Sequence, residues 1–147
     1  MGAVRTASVY WQGTLEKGSG RLQLASAAAG PLPVSWASRT QHSEGQTSPE
    51  ELIAAAHASC FAMALSSGLT QAGTPPESLD VRATCALEEA EGGLRIASSR
   101  LEVTAIVAGI DEEEFERAAQ AAKEDCPVSG ALKGNVEITL DAQVVLI

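Results

Sequence analysis

The chain reads as an α+β domain ordered βββ-α-ββ-α-β. Three observations predict it. Period-2 apolar sets open the chain, recur in its second half and close it. One long apolar helix, begun by Ser48-Pro49-Glu50-Glu51, divides the strands. A second, amphipathic helix, begun by Asp111-Glu112-Glu113-Glu114, precedes the last strand.

The first three strands rest on Val9/Trp11, Leu22/Leu24 and Leu32/Val34/Trp36, punctuated by Lys17-Gly18-Ser19-Gly20 and Ala29-Gly30-Pro31. A polar loop follows from Arg39 to Thr47, with His42 solvated in it. Ser48 is the candidate N-cap of the long helix, Pro49 its first helical residue, and Glu51 the partner in a capping box. The helix should run to about Gln71, stopped by Gly73 and Pro75-Pro76. Being apolar on most sides from Leu52 to Leu69, it is expected to be buried all round.

Val81, Ala83, Cys85 and Leu87 form one face of the next strand, so Cys85 reads as core. Glu91-Gly92-Gly93 turns the chain. Leu94/Ile96 then change parity to Leu101/Val103/Ala105/Val107, which predicts a bulge near Ser98-Ser99. In the second helix Asp111 caps, Glu114 closes the box, Ile110 staples onto Phe115, and Phe115, Ala118/Ala119, Ala122 and Cys126 recur at helical spacing. Pro127 disfavours helical geometry at Cys126, so the helix should break there and a short one open at Pro127 with Cys126 as N-cap. Val136, Ile138, Leu140, Ala142 and Val144 face inward on the last strand. No repeat or linker interrupts residues 1–147, which read as a single domain.

The 147 residues are 45% apolar, enough for a core, and only 3% aromatic, so that core must be rich in small aliphatic side chains. A net charge of −9 leaves no basic stripe for nucleic acid and disfavours an anionic membrane surface. No apolar run was expected to reach the length of a membrane span, and the N-terminus lacks an apolar signal core. The expected location is cytoplasmic. Three cysteines are too few for a secreted disulfide scaffold.

Two of those cysteines lie in unlike settings. Cys60 sits in the Ala-rich run Ala54–Ala64, where a cysteine on its own reads as packed core. Cys126 sits beside Pro127, and the start of a short helix would lower its pKa, so physics alone points to Cys126 as the nucleophile. His57 shares a helix face with Cys60. It reads as a base, a zinc ligand with Cys60 and Cys126, or a satisfied core histidine. The last is preferred, because no further residue stands at metal-site spacing.

Three blocks carry a resemblance: Thr47-Ser48-Pro49-Glu50-Glu51-Leu52, Ala55-Ala56-His57-Ala58-Ser59-Cys60-Phe61 and Cys126-Pro127-Val128-Ser129. Trp11-Gln12-Gly13 and Glu137-Ile138-Thr139-Leu140-Asp141 add to it. In order and spacing the chain resembles the OsmC/Ohr family of organic hydroperoxide reductases over nearly its whole length, and the wording around Cys60 resembles the OsmC branch. The resemblance implies an intertwined homodimer around the long buried helix and a cofactor-free, metal-free peroxidase. It implies a peroxidatic cysteine at Cys60, a resolving cysteine at Cys126, and Arg39 and Glu50 as the groups that position the thiolate. The implied partners are an organic hydroperoxide and an external dithiol, such as a dihydrolipoyl protein.

The chemistry needs an ionised Cys60, and an apolar setting opposes that, so a cation is required. Arg39 can supply it, with Glu50 holding the guanidinium by a forked pair. Glu50 and Cys60 stand ten positions apart, about 15 Å along one helix at 1.5 Å per residue. A two-fold crossing near Ala55 would bring Glu50 of one chain to Cys60 of the other. Two rival readings use the same residues. One is a non-enzymatic thiol or metal binder built from His57, Cys60 and Cys126. The other is a cysteine hydrolase with a Cys60–His57 dyad.

Overall fold

The structure, a computed structural model, describes residues 2–147. The chain divides into two compact units, Met1–Leu52 and Ile53–Ile147.

In the first unit, β1 (Ala7–Gln12), β2 (Ser19–Leu24) and β3 (Leu32–Val34) form an antiparallel sheet in that order. Its register sets Val9 opposite Leu22 and Leu22 opposite Leu32, so the predicted apolar sets pair with one another. Gly20, opposite Trp11, leaves room for the indole. A Cβ there would stand 2.8 Å from the Trp11 ring and 3.0 Å from Val34.

The third strand ends sooner than expected. Trp36 belongs to a short helix, α1 (Trp36–Thr40), so Arg39 is helical and not in a loop. Ser35 caps this helix and Ser38 returns the bond to the Ser35 amide. The Ser38 hydroxyl also donates to the Thr47 carbonyl at 2.8 Å, which ties down the far end of the loop. A serine-for-glutamate capping box on five residues leaves little periodic signal.

Helix α2 (Pro49–Gln71) starts and stops as predicted. Ser48 Oγ accepts from the Glu51 amide at 3.1 Å, but the box stays open, because the Glu51 carboxylate accepts the Thr47 hydroxyl instead. In the second unit β4 (Pro76–Ala90), β5 (Gly93–Val107) and β6 (Glu137–Leu146) form a sheet with β5 central. The β4–β5 pair is antiparallel and β5–β6 is parallel. The parallel pair needs a crossover, which α3 (Glu112–Asp125) and α4 (Pro127–Leu132) provide. Asp111 and Glu114 cap α3 reciprocally, and Cys126 ends α3 and starts α4 as predicted.

The register steps from Ala86 opposite Ser98 to Leu87 opposite Ile96, so the bulge falls on Ala97, one residue before the predicted place. Its effect is the predicted one. Beyond it Ser99, Leu101, Val103, Ala105 and Val107 all turn inward and are buried.

The core joins Phe61, Leu65 and Leu69 of α2 to Leu101, Val103, Ala105 and Val107 of β5 and to Phe115, Ala119, Ala122 and Cys126. Burying each of the larger side chains contributes about 1.5–3 kcal/mol. Cys85 is half-buried on the β4 face that it shares with Val81 and Ala83.

Two expectations about α2 need correction. The helix is buried on one side only: Ala55, Ala56 and Ser59 are exposed and Met63 is 69% exposed. An all-apolar composition does not say which neighbour covers each face, and one chain covers only the Phe61–Leu65–Leu69 side. The helix is also long and apolar enough by length and composition to cross a membrane, with a mean hydropathy of 1.5. Its large apolar side chains Phe61, Leu65 and Leu69 pack into the core.

Candidate active site

The predicted residues fall into two groups. The first lies within the first unit. Arg39 on α1 meets Glu50 on the first turn of α2 through three contacts: Nε to Oε1 at 3.2 Å, Nε to Oε2 at 3.3 Å and Nη2 to Oε2 at 3.1 Å. Glu50 is buried, whereas the Arg39 side chain remains 32% exposed. The carboxylate therefore fixes one edge of the guanidinium and leaves donors free for a further acceptor. The Trp36 ring lies 6.0 Å from Arg39 Cζ, the outer limit of a cation–π contact. Arg39 also borders an apolar cavity of about 310 Å³ walled by Val9, Trp11, Leu22, Trp36 and Leu52.

The second group lies in the second unit. Cys60 and Cys126 are free thiols, Cys126 within the core cluster and Cys60 packed against that cluster. Cys126 is fully buried and Cys60 partly so. Burial pushes the Cys60 thiol up, and its bond to Cys126 pushes it further. Cys126 moves the other way. Burial opposes its ionisation, but the Cys60 thiol, the Ser129 amide and hydroxyl and the Val128 amide together outweigh burial and lower its pKa. Within a single chain the two thiols therefore shift in opposite directions, Cys60 up and Cys126 down.

His57 is fully buried and both ring nitrogens are engaged, Nδ1 with Ser99 Oγ at 2.6 Å and Nε2 with Ser129 Oγ at 2.8 Å. Burial lowers its pKa, so it is held neutral. This is the satisfied core histidine of the preferred expectation. Zinc ligation with Cys60 and Cys126 would need a ring nitrogen that a serine already occupies. A Cys60–His57 dyad would need the same.

A family model described as OsmC-like protein matches residues 41–141. The chain belongs to the OsmC-like family. It is similar to "Peroxiredoxin OsmC" of Escherichia coli (strain K12), with 41% identity over 135 residues that cover 92% of each chain. It is also similar to "Organic hydroperoxide resistance protein OhrB" of Bacillus subtilis (strain 168), with 34% identity over 103 residues, 67% of this chain and 72% of that protein. The crystal structure of the OhrB of Bacillus subtilis superposes with a TM-score of 0.69 at 25% identity, covering 94% of this chain and 98% of that one. Identity and coverage are higher against the OsmC relative than against OhrB, in the direction the wording around Cys60 suggests.

In this OsmC-like chain, residue patterns missed Trp36, Ser99 and Ser129. The signal for Ser129 was present, since it is the third helical residue after an N-cap at Cys126. Ser99 had only a parity signal: the bulge that turns Leu101 inward turns Ser99 inward too.

Proposed function

We propose that this protein is a thiol peroxidase that reduces organic hydroperoxides to alcohols. The observation that carries the reading is a pair of free thiols at one core cluster, Cys60 and Cys126, in a chain related to a peroxiredoxin and to organic hydroperoxide resistance proteins. The Cys60 thiolate attacks the terminal oxygen of the hydroperoxide. The O–O bond breaks, the alkoxide takes a proton and leaves as the alcohol, and Cys60 becomes a sulfenic acid. Cys126 then attacks the Cys60 sulfur, expels hydroxide and closes a disulfide, which an external dithiol reduces by exchange. A dihydrolipoyl protein is the expected class of reductant.

The first step needs an ionised Cys60, and within one chain the Cys60 thiol is pushed up. A guanidinium brought to Cys60 would lower it again. The forked Arg39–Glu50 pair, with donors left free, has that form. We assign the pair to the Cys60 of a second copy, in a homodimer whose α2 helices cross near Ala55. The exposed Ala55, Ala56, Ser59 and Met63 face of α2 supports this. The apolar cavity beside Arg39 then takes the alkyl part of the substrate.

The test is consumption of tert-butyl hydroperoxide with a dithiol in excess. The purified protein should turn over many equivalents and Cys60→Ser none, because a hydroxyl does not ionise near neutral pH. Equal consumption by Cys60→Ser would overturn the reading.

A further inference from the structure

His57 is a fully buried polar group that the peroxide chemistry above leaves unused. It is held on both sides: Ser99 Oγ lies 2.6 Å from Nδ1 and Ser129 Oγ 2.8 Å from Nε2, and both serines are buried. The two bonds join different elements. The first ties α2 to β5, which carries no cysteine. The second ties α2, which carries Cys60, to α4, which opens at Cys126.

The direction of each element fixes where the cysteines stand about that second bond. Helix α2 runs alongside β5 in the same sense. His57 meets Ser99 in the first half of the strand. Thr74, just past the helix, lies 3.9 Å from where a Cβ on Gly109, just past the strand, would stand. The α3–α4 segment runs the other way. It leaves the Val107 end of β5 and returns the chain to Glu137, which pairs with Ser98. Going back along it from Ser129 therefore leads the way that α2 goes forward from His57. Three residues back is Cys126, and three residues forward is Cys60, each about one turn from its partner in the bond. Cys126 belongs to the core cluster, and Cys60 packs against it.

Disulfide closure tolerates little error in this register. The bridged Cα atoms stand about 4.4–6.8 Å apart, and a slip of one helical turn is about 5.4 Å. We propose that His57 is a positioning residue whose bond to Ser129 locks α2 and α4 in the register that sets Cys60 opposite Cys126 for disulfide closure. That the closure follows a Cys60 sulfenic acid rests on the peroxidase reading; the register does not. In that closing step the Cys126 electron pair forms the S–S bond, the Cys60 S–O bond breaks, and hydroxide leaves.

Glutathione makes the same disulfide without peroxide. One thiolate attacks oxidised glutathione and releases one reduced glutathione. The second thiolate then closes the S–S bond and releases another, so two electrons pass to glutathione. In a Cys85→Ala background, alkylation and mass spectrometry across a series of glutathione mixtures give the equilibrium constant for the Cys60–Cys126 disulfide. Ser129→Ala should lower that constant about tenfold, which makes the disulfide easier to reduce by about 30 mV. Ser129→Thr, which keeps the hydroxyl, and Ser99→Ala, which breaks only the bond to β5, should stay within about twofold of the parent. Urea titration should show both alanine variants losing stability, since each leaves a buried ring nitrogen without its partner. A merely structural role would move their disulfide constants alike. Equal constants for Ser129→Ala and Ser99→Ala would overturn the proposal, as would a parent that forms no Cys60–Cys126 disulfide. Should the serine variants fail to fold, the His57 amides decide. The amide of His57→Gln reaches the Nε2 position and should keep most of the constant, whereas that of His57→Asn reaches only the Nδ1 position and should lose about tenfold. Equal values for the two would overturn it. The equilibrium uses no hydroperoxide. A protein that shows the Ser129 dependence but does not turn over tert-butyl hydroperoxide would sink the peroxidase reading and keep the His57 assignment.

Discussion

The Arg39–Glu50 pair and the Ser99–His57–Ser129 group are two polar groups built on opposite plans. The first carries full charges, leaves Arg39 about a third exposed, and borders an apolar cavity. The second is sealed, with a neutral imidazole held between two buried hydroxyls. A charge that must act on something arriving from outside can stay partly hydrated. A charge inside the core must be matched donor by donor. The contrast leaves Arg39 with donors for a further acceptor and His57 with none to spare.

Four experiments would break or sharpen that contrast. The largest effect should come from the sealed side. Cys126→Ser should allow one oxidation and then stall, with Cys60 drifting to sulfinic acid in mass spectra. Normal turnover with dithiol would remove Cys126 from the resolving step. Next, on the charged side, Arg39→Ala should slow peroxide reduction about tenfold to a hundredfold at neutral pH and recover partly at higher pH, the size expected for losing an opposite charge beside a thiolate. Arg39→Lys should rescue poorly, since an ammonium cannot fork to Glu50 and reach a sulfur. An unchanged pH–rate profile would move the activating role elsewhere.

Pooling Cys60→Ser with Glu50→Ala chains asks where the charged pair acts. Mixed dimers should regain activity at one site if Glu50 serves the partner's thiol, and stay inactive if it serves its own. The smallest effect concerns stability. The pKa of His57 is lowered in the folded state from 6.5, so below pH 6.5 the unfolded chain binds more protons than the folded one. The stability linked to His57 should therefore be complete above pH 6.5 and be lost as pH falls through the folded-state value. His57→Gln should flatten that slope in urea titrations. An equal slope in both proteins would mean that His57 is not the titrating group.

Most of the element order was legible because its signals are local. Caps at Ser48 and Asp111, the Pro127 break, the parity change in β5 and the alternation of β6 each need only a few neighbouring residues. Helix α1 escaped because five residues capped by two serines leave no period to read. The cysteines, Arg39 and Glu50 were legible only as blocks in a family order, since nothing in their spacing says which of them touch.

The sequence alone determined which faces are apolar, where helices begin, and that two cysteines stand in unlike settings. Tertiary structure decided the contacts among them. Ser99, His57 and Ser129 meet because a bulge at Ala97 resets the parity of β5 and because α4, opened at Cys126, carries Ser129. It also decided that α2 is covered by its own chain on one side only. Propensity and periodicity act over a few residues, whereas a hydrogen bond between side chains 42 or 72 positions apart depends on the register of every element between them.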